Sequence, residues 1–326
     1  MAHRLQRRDF LASGAAIAAT AAAFNPCEHA ASASPLESAV PASESPFRYC
    51  LNMGTVMGHK LNAADEAELA AKAGYSGIEP WIRNVRQYVE SGHTAKELGK
   101  RIADLGLTVE GAIGFAAWAV DDDAKRASGL EEFKRDMELI ATIGGKRIAA
   151  SPAGINQTAG VNLDRVAQRY RSLLELGRQM GVIPQLEIWG SSLSLSRTSD
   201  AAFVAIQADH PDACVLLDIF HLFRGGSGFH GLKLLNGAAM HVFHMNDYPA
   251  HPEREQQNDS HRVFPGDGVA PFTQILADLA RSGFRGALSL ELFNRDYWQQ
   301  DALQVARTGL EKMKSVAQRA LANPPQ

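Results

Sequence analysis

The sequence predicts a single-domain α/β fold, a parallel (β/α)8 TIM barrel, on three observations. From Phe47 onward, short β-rich runs alternate with longer runs of helical period, the pattern of a parallel sheet covered by helices. Eight such units occupy about 280 residues, the usual size of this barrel. No Gly-rich phosphate loop follows Leu51 and Asn52, where an open doubly wound sheet usually carries one.

The elements follow in order. Residues 1–33 read as an export address. Gln6-Arg7-Arg8-Asp9-Phe10-Leu11 sets two adjacent arginines before an Ala-rich apolar run from Ala12 to Phe24, and Ala31-Ser32-Ala33 offers a small-x-small cleavage site. This is the form of a twin-arginine signal peptide. The apolar run falls short of the ~20 residues that span a bilayer, so no stable membrane anchor is expected. The twin-arginine export machinery is the expected partner, and the periplasm or exterior the expected location. Residues 34–47, rich in Ser, Pro, Ala and Glu, read as a flexible linker.

The barrel is placed at residues 48–322, with strands at 48–54, 77–82, 108–113, 147–151, 183–189, 214–219, 240–246 and 287–292. Amphipathic helices are expected at 64–73, 130–143, 163–180 and 271–282, among others. Ala73-Gly74 and Met180-Gly181 supply glycine C-caps.

Composition narrows the function classes. A content of 45% hydrophobic residues in 326 suits a globular core. Lys and Arg number 33 against 36 Asp and Glu, for a net charge of −3. Removing Arg4, Arg7 and Arg8 together with Asp9 and Glu28 leaves 30 basic and 34 acidic residues. This mildly acidic balance gives a nucleic-acid partner no electrostatic support. Cys27, Cys50 and Cys214 form no C-x-x-C pair, and Cys50 and Cys214 fall on strands that are not neighbours, so no disulfide is expected. Barrel helices are apolar whether they bury within or between subunits, so the sequence sets no oligomeric state.

In a barrel the reactive groups sit at the C-terminal ends of the strands. Strand five ends Leu186-Glu187-Ile188-Trp189, strand six Leu217-Asp218-Ile219-Phe220-His221, strand seven carries Phe243-His244-Met245, and strand eight ends Leu290-Glu291-Leu292-Phe293. An acid among aliphatic residues on a buried strand is costly unless it is paired, protonated or bound to metal. One such residue is an ordinary rim group, whereas four on successive strands form a ligand set. Glu187, Asp218, His244 and Glu291 make a hard, oxygen-rich site for one divalent ion, suited to Mn²⁺, Mg²⁺ or Co²⁺, with Zn²⁺ also admitted.

With these residues the chain resembles the xylose-isomerase-like barrel superfamily, in particular the sugar isomerase/epimerase branch that includes ketose 3-epimerases and inosose-processing enzymes. The resemblance covers about residues 48–320. Asp218 and His221 match its D-x-x-H pattern, and Arg262-Val263-Phe264-Pro265-Gly266-Asp267-Gly268 its R-x-x-P-G-x-G segment. The resemblance implies that the four residues above hold the metal and that Glu187 and Glu291 double as acid/base pair. It implies also that His221 and Arg262 hold substrate oxygens, and that a free sugar, keto-sugar or glycoside reacts through a metal-stabilised enediolate. Export argues against a phosphorylated substrate. Two features differ from the 3-epimerases: the loop between His244 and Arg262 is longer, a lid or specificity loop, and Leu193 stands where they place a substrate-binding Glu.

Trp81, Phe115, Trp118, Trp189 and Phe293 follow strand ends, either to stack on a sugar ring or to wall the barrel top. Glu79 and Glu110 either support the pocket or form internal salt bridges. Three alternatives stay open. A lyase, dehydratase or keto-glycoside-cleaving enzyme would share the proton abstraction. An endonuclease IV-like phosphodiesterase would use Asp259-Ser260-His261, but strands one to four contain no histidine. A non-catalytic sugar-binding barrel would have no use for both Glu187 and Glu291.

Overall fold

The computed structural model describes residues 45–324. The export-signal reading and residues 34–44 of the linker lie outside them. Eight parallel strands are β1 (Arg48–Asn52), β2 (Gly77–Glu79), β3 (Thr108–Val109), β4 (Arg147–Ala150), β5 (Ile183–Glu187), β6 (Val215–Asp218), β7 (Val242–Met245) and β8 (Ala287–Leu290). Their order is β3-β2-β1-β8-β7-β6-β5-β4, so β1 pairs with both β2 and β8 and the sheet curls on itself. The outer strands approach through single hydrogen bonds, from Ala149 N to the Ala112 carbonyl at 2.8 Å and from Ser151 Oγ to the Gly114 carbonyl at 3.3 Å. This is the expected TIM barrel.

The helices are α1 (Ala63–Ala73), α2 (Ile82–Glu90), α3 (Ala95–Asp104), α4 (Asp123–Thr142), α5 (Leu163–Met180), α6 (Thr198–Gln207), α7 (Ile219–Arg224), α8 (Phe272–Arg281) and α9 (Ala302–Ala322). Local chemistry marks their ends. Asn62, Thr94, Asp122, Asn162 and Asp301 accept hydrogen bonds from first-turn amides. Gly74 and Gly181 close α1 and α5 at φ +95° and +70°, where a side chain would be strained. Tyr170 of α5 is buried, its hydroxyl 2.9 Å and 2.8 Å from the carbonyls of Pro184 and Cys214, which ties that helix to β5 and β6.

Most strands end earlier than the sequence pattern suggests, because their last residues turn the chain into the upper loops. Asn52 caps a 3-10 turn at Met53–His59, and Asp218 caps α7. In β2 the ladder stops at Pro80, which has no N–H to donate, and a bridge between Trp81 and Ile113 then rejoins β2 to β3. Cys50 and Cys214 are buried free thiols. No helix among the described residues is long and apolar enough to cross a membrane.

Candidate metal centre and cavity

Strand register assembles the site. Asp218 pairs with His244 across β6 and β7, and His244 with Ser289 across β7 and β8. Side chains alternate along a strand, so Glu291, two residues beyond Ser289, falls on the same face. Asp218, His244 and Glu291 are buried and offer ligand atoms within 4.8 Å of one another. Glu187 is not part of that trio. Its carboxylate is buried and lines the same cavity, and Oε2 has no hydrogen-bond partner.

A fourth carboxylate orients the histidine. His244 Nε2 lies 3.0 Å from Oε2 of Glu79. An ionised carboxylate only accepts, so the hydrogen sits on Nε2 and Nδ1 is turned toward the acids, 3.2 Å from Glu291 Oε2 and 3.8 Å from Asp218 Oδ2. Ser289 Oγ and Asn52 Nδ2 donate to the same Glu79 oxygen at 2.8 Å and 3.0 Å. Trp81 Nε1 donates in turn to Asn52 Oδ1 at 3.0 Å. Burial works to raise the Glu79 carboxyl, but the charge and hydrogen bond of His244 and the bonds from Ser289 and Asn52 hold it below the usual range. Burial works against the His244 imidazolium, yet Glu291 and Glu79 keep its pKa well above the ordinary value. Glu110, the other early carboxylate, serves a different end. It extends past Gly77, which has no side chain to block it, and accepts two bonds from Arg48 at 2.7 Å and 2.9 Å.

Arg262 is a fully buried cation among carboxylates. Nη1 donates to Asp218 Oδ2 at 2.8 Å and Glu291 Oε2 at 2.9 Å, and Nη2 to Asp259 Oδ1 at 2.7 Å. Burial disfavours its charge, but these three acids more than offset it and raise its pKa. Nη2 also lies 3.2 Å from His221 Nε2. Since guanidinium only donates, His221 accepts there and carries its hydrogen on Nδ1, a buried atom without a partner. Burial pushes the His221 pKa down, with Arg262 adding to the shift. Asn246 links two strands, accepting from Phe220 N and donating to Asp218 Oδ2 at 2.7 Å.

Asp247 organises the segment that follows Arg262. Its carboxylate accepts from the backbone amides of Tyr248, Gly266, Gly268 and Ala270 at 2.8–2.9 Å. A Cβ at Gly268 would lie 2.2 Å from the Tyr248 carbonyl oxygen and Gly266 has φ +89°, so both positions require glycine. The long loop before Arg262 is anchored rather than free. Buried Gln257 donates to the carbonyls of Pro249 and Pro252, and Arg224 donates to the Gln257 carbonyl. Its end contributes Asn258, Asp259 and Ser260 to the cavity wall.

The cavity, open at the barrel mouth, has a volume of about 590 Å³. Glu187, His221, Arg262 and Glu291 line its polar side, and Trp81, Phe115, Trp189 and Phe293 its aromatic side. Trp118 is not brought there. It is fully buried behind the wall, with Nε1 bonded to the Ser151 carbonyl at 2.8 Å and its ring against Tyr170. Burial, joined by repulsion from Glu291 and Asp218, raises the Glu187 pKa to about 8. The Asp259-Ser260-His261 segment adds no metal cluster among the described residues. Asp259 pairs with Arg262, and His261 Nδ1 accepts from Asn258 N. The pattern of strand-end acids could not expose the parts played by Asn52, Asn246 and Asp247. The dipeptide Asn246-Asp247 directly after strand seven was the available sign, since polar residues there sit where a buried strand should still be apolar.

Residues 67–316 match the model of the xylose isomerase-like TIM barrel. The chain belongs to that family. Within it, the chain is 25% identical over 277 residues to inosose isomerase of Bacillus velezensis, covering 83% of this chain and 97% of the relative. It is 23% identical over 250 residues to 3-dehydroshikimate dehydratase of Pseudomonas putida, covering 76% of this chain but 39% of that longer protein. A crystal structure of the IolI protein with a bound zinc atom shares the fold, with TM-score 0.77 and 22% identity over 84% of this chain and 99% of that one. The family's barrel and its isomerase and dehydratase members agree with an enzyme acting on sugar-like molecules.

Proposed function

We propose that this protein is a divalent-metal-dependent isomerase or epimerase of a non-phosphorylated sugar or keto-sugar, exported through the twin-arginine pathway to the periplasm or beyond. One observation carries the reading: Asp218, His244 and Glu291 converge with the Nδ1 of His244 aimed at the acids, because Glu79 holds Nε2. A carboxylate behind a ligand histidine is the usual support of a metal site. The orphaned Glu187 Oε2 fits the same set as a fourth ligand, and the oxygen-rich donors favour Mn²⁺, Mg²⁺ or Co²⁺, with Zn²⁺ admitted by the zinc-bound structure of similar fold. When bound, such an ion supplies a Lewis acid for adjacent substrate oxygens.

The chain's own groups supply the rest. Glu187 and Glu291 form the acid/base pair through which a proton leaves the carbon next to a carbonyl and is returned to the resulting enediolate. His221 Nδ1–H donates to a substrate hydroxyl or carbonyl oxygen, held in that tautomer by the bond its Nε2 accepts from Arg262, while Trp81 and Trp189 close the cavity around the ring. Elimination is the second reading, favoured by the dehydratase relative. It uses the same proton abstraction and differs in expelling a group β to the carbonyl.

The test is the metal content of the purified protein beside Glu187→Gln and Asp218→Asn variants. One equivalent of Mn, Co or Mg, lost on substitution, is expected, together with solvent-deuterium incorporation next to the carbonyl of a free or keto-sugar. Two or three zinc equivalents would instead support a phosphodiesterase, and no metal after incubation with each ion would overturn the reading.

A further inference from the structure

The cavity is larger than one sugar ring. A hexose has six carbons and six oxygens, and at no more than the ~30 Å³ that a water molecule occupies in the liquid, it fills at most roughly 360 Å³. The cavity holds about 590 Å³. The surplus has a distinct lining. An aromatic strip runs from Phe293 through Trp81 and Phe115 to Trp189, with successive ring centroids 5.9, 5.2 and 5.9 Å apart. Its inner end packs against the polar site, where the Arg262 guanidinium lies 5.1 Å from the Phe293 ring. Its outer part is open to water, with Phe115 45% exposed. Leu193, in the loop after Trp189, is 59% exposed.

Core packing does not account for this arrangement. Aromatic rings that only wall a barrel are covered, as Trp118 is, whereas Phe115 leaves much of an apolar ring in water at the cavity. Exposed apolar surface contiguous with a binding cleft marks a place where a ligand completes the packing. The four strip residues follow β2, β3, β5 and β8, so the strip lies across the barrel mouth.

We propose that the outer half of the cavity is a subsite for a second ring, so that the substrate is a keto-glycoside or a reducing disaccharide, a carbonyl-bearing sugar carrying a further sugar or an aryl group. The sugar to be deprotonated occupies the polar half, and the attached ring lies on Phe115 and Trp189. This rests on the carbohydrate reading above and narrows its substrate class. A sugar's C–H face and an aryl ring offer the strip the same flat apolar surface, and they separate in the test.

The experiment is equilibrium binding to the whole protein, supplied with Mn²⁺, by titration calorimetry. The probes are glucose, galactose and xylose, each beside its phenyl glycoside, together with cellobiose and lactose. The expected result is that at least one phenyl glycoside or disaccharide binds about tenfold or more tightly than the parent sugar. Phe115→Ala then brings that ratio toward one, while Phe203→Ala, on the exposed side of α6, leaves it unchanged. Preference for phenyl glycosides alone assigns an aryl aglycone, and preference for the disaccharides a second sugar. Free sugars binding as tightly as their glycosides would overturn the subsite and leave the carbohydrate reading intact. Binding of Mn²⁺ with no binding of any probe up to 50-fold molar excess over the highest protein concentration, on the order of millimolar affinity, would overturn both.

Discussion

Replacing Glu79 with Gln isolates the role of one atom. In the native protein Glu79 Oε2 accepts from His244 Nε2, Ser289 Oγ and Asn52 Nδ2 within 2.8–3.0 Å, all in a fully buried setting. The amide removes the negative charge and keeps the shape. Each bond to a charged acceptor is worth about 1.5–3 kcal/mol, against about 1 kcal/mol for a neutral one, so a loss of roughly 1–2 kcal/mol per bond at the histidine is the scale to expect. For metal affinity this corresponds to a 10- to 100-fold decrease, the range found when the group behind a ligand histidine is changed. One effect opposes it. Glu79 helps to hold a proton on His244, and a ligand nitrogen must release its proton to bind metal. The deficit of the variant is therefore smallest at low pH and reaches its full size once His244 is neutral in both proteins. Calorimetric titration with Mn²⁺ at pH 6.5, 7.5 and 8.5 measures this, with Glu110→Gln as the control because Glu110 bonds Arg48 instead. Equal affinities and equal pH profiles for Glu79→Gln and native protein would refute the idea that Glu79 sets the ligand geometry of His244.

Three further outcomes are expected. Burial raises the Glu66 carboxyl from 4.5 to about 8, against bonds and charge from Asn84 and Arg83. The folded state thus binds the extra proton, and its contribution, full below pH 4.5, is lost as pH rises through 8; urea denaturation should show Glu66→Gln matching native protein near pH 4.5 and exceeding it at pH 8.5, with a ceiling of roughly 5 kcal/mol. Asp247→Ala leaves four loop amides without their acceptor and should cost at least about 3 kcal/mol in the same assay, whereas a loss below about 1 kcal/mol would contradict the hub. Trp118→Phe should lower stability by about 1–2 kcal/mol through the lost bond to Ser151 without changing ligand affinity, and a shift in affinity would place Trp118 in the cavity after all.

Local pattern sufficed for the sequence to determine the eight strands, the barrel and the strand-end residues Asp218, His244 and Glu291. A strand declares itself by a short apolar run, and the barrel rule then says which end carries chemistry. What those patterns lack is direction across the barrel. Glu79 and Glu110 look alike in sequence, each an acid after a short β run, yet one reaches His244, 165 residues away, and the other turns to Arg48 at the start of β1. Trp81 and Trp118 look alike too, and only one lines the cavity. Glu187 ends strand five much as Asp218 ends strand six, but its carboxylate stands outside the close trio. The tertiary structure decided these pairs because side-chain partners across a curled sheet depend on register, strand tilt and the small residues, such as Gly77, that leave room for a long side chain. Such partners are far apart in the chain and leave no periodic trace in it.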